Sequence, residues 1–71
     1  MIEFSLKTET IELCRLLKAV NVVASGAEGK EVVSEGWVEV DGHVETRKRC
    51  KIRAGQTISF NGEIIHISTP D

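Results

Sequence analysis

Five of the nine lysines and arginines in this 71-residue chain fall within residues 47–53, RKRCKIR. The rest of the chain carries four basic residues against eleven acidic ones, so a local cationic surplus sits on an acidic remainder. Crowded cations repel one another, and only an approaching anion turns that repulsion into a gain. The chemistry on offer is the binding of phosphates or carboxylates. Three readings stand: a nucleic-acid contact, a contact to an acidic partner protein, and a solvated charged loop.

A second stretch, SGAEGKE at 25–31, has the same leaning. It opens a helix with unpaired backbone N–H groups and places Lys30 shortly after, which suits an anion. It is not a nucleotide-binding P-loop, because only two residues separate Gly26 from Gly29 and Glu31 follows the lysine. Ser25, Asp41 and His43 follow no nucleophile–base pattern. Cys14, Cys50, His43 and His66 are metal-ligand types, but their spacing matches no zinc pattern. The two cysteines read as free thiols used as small apolar residues. Neither a metal nor a cofactor is expected.

The elements that must hold these residues follow from periodicity. Ile2, Phe4 and Leu6 alternate with polar residues, which predicts a strand. Leu13, Leu16, Leu17 and Val20 recur at helical spacing, with Glu12, Arg15 and Lys18 on the opposite face. Thr8 or Thr10 is the expected cap of that helix, and Asn21 its left-handed end. Ser25 with Glu28 forms a capping box for a second helix, which Gly36 ends. Gly26 and Gly29 weaken that helix by about 1 kcal/mol each relative to alanine, so it leans on packing through Val32 and Val33. Asp41-Gly42 and Asn61-Gly62, each between apolar alternating runs, predict two hairpins. The whole is an α+β domain, with two N-terminal helices packed on a small, mainly antiparallel sheet of hairpins.

The basic stretch joins the two hairpins. If it is extended, Arg47, Arg49, Lys51 and Arg53 share a solvent face while Lys48, Cys50 and Ile52 share the other, with Ile52 reaching the core. Neighbours on one face are then about 6.6 Å apart, near the phosphate spacing of a nucleic-acid strand.

Composition sets the outer bounds. At 41% hydrophobic and 28% charged, the chain suits one globular domain spanning 1–71 rather than a disordered tail. No apolar run approaches the roughly 20 residues that span a bilayer. The opening MIEFSLKTE is too polar for a signal peptide, so a soluble, cytoplasmic protein is expected.

These residues together resemble the RNA-binding domain named after ribosomal protein S4, also called the α-L motif. Leu13, Leu16 and Leu17 match its apolar helix, Ser25 the serine of a Ser-Arg pair opening helix two, and Val33 the buried position of that helix. Gly36, Val38, Val40 and Gly42 match its helix end and hairpin. Val44, Ile52, Gly55 and Ile58 match its positions beyond the hairpin turn. The match runs without gaps over residues 13–58, the motif core. The length and the wording VETRKRCKI are similar to the small stand-alone bacterial YbcJ-type branch of that family. The chain departs from the pattern at Gly26, where the family usually has Arg, and at Glu12, where many members have Arg. It also has Asp41 for Asn and Gln56 for Asp. The resemblance implies a binder of structured RNA, of rRNA or tRNA type, and a role in ribosome assembly or translation. Lys30 falls on a frequently basic position and Arg15 on a variable one.

The candidate RNA-binding residues are therefore Arg15, Lys18, Ser25, Lys30, Arg47, Lys48, Arg49, Lys51 and Arg53. The domain often accompanies enzymes, but no catalytic part is recognisable here. With three aromatic residues, recognition should rest on phosphate and shape rather than base stacking. Phe4 and Phe60 are expected in the core, and Trp37 is expected to pack rather than stack. The expected partner is structured RNA, bound by a monomer with no membrane attachment. The alternative is an adaptor whose basic row meets an acidic protein.

Overall fold

The stretches with period-two alternation become strands that turn their apolar members to one face. The computed structural model describes residues 1–69. In chain order the elements are β1 (Ile2–Ser5), β2 (Ile11–Glu12), α1 (Leu13–Ala19), α2 (Gly26–Ser34), β3 (Val38–Val40), β4 (His43–Val44), β5 (Lys51–Ile52), β6 (Thr57–Phe60) and β7 (Glu63–Ser68). Five strands form a sheet in the order β1-β7-β6-β3-β4, and β2 with β5 forms a separate pair. Pairing is antiparallel except for β1 on β7, where Ile2 lies opposite Ile65 and Phe4 opposite Ile67. The result is the expected α+β architecture, two helices on a mainly antiparallel sheet.

Leu13, Leu16 and Leu17 of α1 and Val33 of α2 pack with Val38, Ile58, Ile65 and Ile67 of the sheet in one core. Phe4 and Phe60 pack at its edge. The opposite sheet face carries Glu3, Ser59 and His66, as the register requires.

Turn chemistry fixes both hairpins. Asp41 and Gly42 have φ of 52° and 86°, and Asn61 and Gly62 have 51° and 82°. Two successive left-handed residues match the twist of the flanking strands. Asp41 has a further task, since its carboxylate accepts the Thr57 N–H at 2.9 Å and the Gln56 amide at 3.4 Å. Two of the departures from the S4 pattern thus touch each other: the acid lies on the turn and the amide at position 56.

Helix α2 begins as expected. Ser25 Oγ accepts the Glu28 N–H at 3.1 Å, and Glu28 Oε1 accepts the Ala24 N–H at 2.7 Å. Its end is closed by the Gly36 and Trp37 N–H groups, which donate to Val33 and Val32 carbonyls at 3.1 Å. Helix α1 begins differently from expectation. Neither Thr8 nor Thr10 caps it; Glu12 stands at the cap with no side-chain bond. The Thr8 hydroxyl donates instead to the Thr10 carbonyl at 2.7 Å. The first N–H groups of α1, at Leu13 and Cys14, donate to the carbonyls of Cys50 and Lys48 at 2.9 and 3.2 Å. The basic segment itself terminates the helix.

Gly29 explains a glycine that helix propensity disfavours. A Cβ there would lie 2.8 Å from the Cys14 carbonyl oxygen, so the helices touch backbone to backbone. Gly29→Ala is expected to lower stability by about 1–3 kcal/mol through overpacking, against a propensity gain of about 1 kcal/mol. Thermal unfolding reads this directly, and a raised midpoint would mean that α1 and α2 part freely.

Candidate nucleic-acid interface

The close approach at Gly29 sets α1 and α2 side by side, so cations on their outer surfaces flank a common groove. Its volume is about 400 Å³, and Arg15 and Lys18 of α1, Lys30 and Gly26 of α2, and Arg49 from the basic segment line it. A second concavity of about 490 Å³ adjoins it, sharing Glu12 and Arg15 and adding Lys51, Thr8 and Thr10. The two together present five cations against one acid, Glu12. Glu12 Oε1 lies 3.8 Å from Arg15 Nε, and the guanidinium is largely exposed. Such an exposed pair holds its partners only loosely.

The groove regroups the candidate residues. Arg15, Lys18, Lys30, Arg49 and Lys51 come together, although they are spread from residue 15 to 51. Arg47, Lys48 and Arg53 are exposed but are not among its lining residues. Ser25 serves the α2 cap through its oxygen. Gly26 lies at the groove in helical conformation, and a Cβ there would meet nothing within 4 Å. The site usually filled by Arg in the S4 pattern is therefore open space.

The extended cationic row does not form. Residues 48 and 49 make a turn, with the Cys50 N–H donating to the Arg47 carbonyl at 3.1 Å, and only Lys51 and Ile52 are strand. Ile52 is fully buried, as expected. Two causes bend the segment. Its carbonyls are committed to α1, and Arg47 folds back on Glu45. Arg47 Nε and Nη2 donate to the two Glu45 oxygens at 2.9 and 3.0 Å, and the Arg47 N–H adds a third bond at 2.9 Å. Glu45 is itself tied to the sheet by its N–H on the Val38 carbonyl at 3.0 Å. Arg47 is thus a clasp that sets the turn carrying Lys48 and Arg49. No count of charges would find this role; its signal in the sequence is the acid two residues before it.

The clasp holds the Glu45 carboxyl down at about 2, through the Arg47 side chain first and its amide second. A carboxyl depressed below its unfolded value of 4.5 stabilises the fold above that pH and loses the effect as pH falls toward 2. The thermal midpoints of wild type and Glu45→Gln should therefore differ at neutral pH and converge between pH 4.5 and about 2. A pH-independent difference would assign Glu45 some other role. Burial, then the nearby Glu45 charge, raises the Cys50 thiol, which keeps it neutral. Both cysteines are free, Cys14 buried and Cys50 half-buried.

Trp37 does not pack into the core as expected. It is 65% exposed, and its indole N–H donates to Glu35 Oε1 at 3.0 Å. The left-handed Gly36 before it carries the chain out of α2, and the core position goes to Val38. Among the described residues, no helix is long and apolar enough to cross a membrane, and no group of three or more His, Cys, Asp or Glu is placed to hold a metal.

A family model described as the S4 domain matches residues 4–68. The chain belongs to the S4 domain family. It is 54% identical over 68 residues to YbcJ of Escherichia coli (strain K12), covering 94% of this chain and 97% of that protein. YbcJ of Shigella flexneri matches to the same extent. The solution structure of the Escherichia coli protein is described as revealing an αL motif involved in RNA-binding. It superposes with a TM-score of 0.76 at 53% identity, covering 97% of this chain and 89% of that one. The 30S ribosomal protein S4e from Thermoplasma acidophilum shares the fold, with a TM-score of 0.61 at 22% identity over 82% of this chain and 31% of that one. The S4 domain is an RNA-binding fold and not an enzyme family. The basic groove of this S4 domain lies on its two helices and the segment that terminates α1.

Proposed function

We propose that this S4 domain binds structured RNA, of ribosomal or transfer type, by phosphate positions and shape. One observation carries the reading: five cations from three separate elements converge on two adjoining concavities whose lining holds a single acid. A groove without aromatic side chains has no stacking platform for single-stranded bases. A-form helices are recognised through phosphates and shape, which suits cations on a rigid two-helix frame. Arg15, Lys18, Lys30, Arg49 and Lys51 are the contacts; Lys48 and Arg53 extend the positive surface, and Ser25 and Arg47 hold local geometry. The unit acts as a monomeric single domain in the cytoplasm, in ribosome assembly or translation.

The test is a salt titration of binding to a stable RNA hairpin. With three or four of these five side chains on phosphates at once, log K should fall against log salt with a slope of roughly −2 to −4. An affinity that ignores salt would remove the groove from the mechanism. Tighter binding to an acidic peptide than to the hairpin would point to an adaptor.

A further inference from the structure

A different surface lies at the opposite end of α2. Trp37 stands 65% exposed over a hollow of about 280 Å³ whose other walls are Val32, Phe60 and Asn61. Its surroundings are negative. Glu35 holds the indole N–H at 3.0 Å and is the C-cap of α2, and Glu31 lies one turn back on the same helix face. Glu63 sits directly opposite Phe60 across the β6–β7 pair. The last turn of α2 carries no basic residue. Acids at i and i+4 repel, and acids at a helix C-terminus oppose its dipole. This placement costs stability in the free protein, and an incoming cation relieves every part of it.

We propose that the Trp37 surface is a second binding site, for an extended lysine- or arginine-rich segment of a partner protein. An arginine side chain placed over the indole finds a π-face for its guanidinium and the free oxygen of Glu35 beside it. Its aliphatic stem lies against Val32 and Phe60. The same acids argue against RNA at this place, since a phosphate would meet like charge. The nine residues of α2 separate Gly26 at the groove from the Trp37 end by about 13 Å, so the two sites are occupied independently.

Trp37 is the one tryptophan of the chain, so its fluorescence reports on this surface alone. A short oligo-arginine peptide is expected to change that fluorescence saturably. By calorimetry, Trp37→Ser and the exposed Glu35→Gln should each weaken the peptide about tenfold. Both variants should keep hairpin RNA binding within about twofold of wild type. Peptide binding that ignores both substitutions overturns the proposal. So does a Trp37 response to hairpin RNA in place of peptide, which would make it a base-stacking site. Concentration-dependent self-association lost in Trp37→Ser overturns it too, by making the surface a contact between two copies of this chain.

Discussion

Reversing two groove charges together, Lys30→Glu with Arg49→Glu, is expected to weaken binding to a structured RNA about hundredfold at moderate salt. On the proposed reading, each reversal removes one phosphate contact and sets a carboxylate against the RNA backbone. A loss of a little over one kcal/mol per site amounts to about two decades of affinity. The salt slope should flatten by roughly two units, one for each lost contact. Both side chains are exposed and neither forms an ion pair among the described residues, so the melting temperature should barely move. Lys7→Glu, on an exposed cation outside the groove, separates position from net charge. Equal losses from Lys7→Glu and Arg49→Glu would mean that only overall charge matters.

The largest effect on folding is expected at Ile52. This side chain is fully buried, and its strand pairs with β2 so that Ile52 lies opposite Ile11. Ile52→Asp would place a carboxylate in a core without any buried polar residue among those described. An unpaired buried charge is penalised by several kcal/mol, against a total stability of about 5–15 kcal/mol for a natural domain. A domain this small sits at the lower end of that range, so the variant should show no cooperative melt. The adjacent Lys51→Asp makes the informative contrast. Lys51 is exposed, so its variant should fold normally and bind RNA more weakly. An Ile52→Asp protein that melts within a few degrees of wild type would show that β5 is not part of the core.

The features legible in the residues are those with local causes. Ser25 and Glu28 cap a helix because they are three apart, and Asp41-Gly42 and Asn61-Gly62 turn because their backbones accept positive φ. Ile52 stands out as an apolar residue among cations. Features hidden from such a reading depend on contacts distant in the chain. The cap of α1 comes from the Lys48 and Cys50 carbonyls, and backbone acceptors leave no mark in side-chain sequence. The same docking bends the segment that alternation alone would keep straight. The candidate site is legible as a set of charges but not as a place. Arg15, Lys18 and Lys30 are neighbours of Arg49 only because Gly29 lets the helices close. Trp37 runs against expectation because burial follows residue type only on average, and Gly36 redirects the chain just before it.

The parallel pairing of β1 with β7 has a consequence for how the molecule comes into being. Ile2 and Ile65 are partners across nearly the full described chain, whereas α1 meets α2 within a short span of sequence. Contacts of long sequence separation are slow to close, because loop entropy is lost before they contribute. During synthesis the helical pair has its sequence early, while β1 waits with both edges unpaired until β7, its one partner in the sheet, emerges. Exposed strand edges of this kind recruit other chains. The hazard period for aggregation is therefore set by the arrival of β7, and a chain stalled before residue 63 would carry its basic groove beside an unfinished sheet.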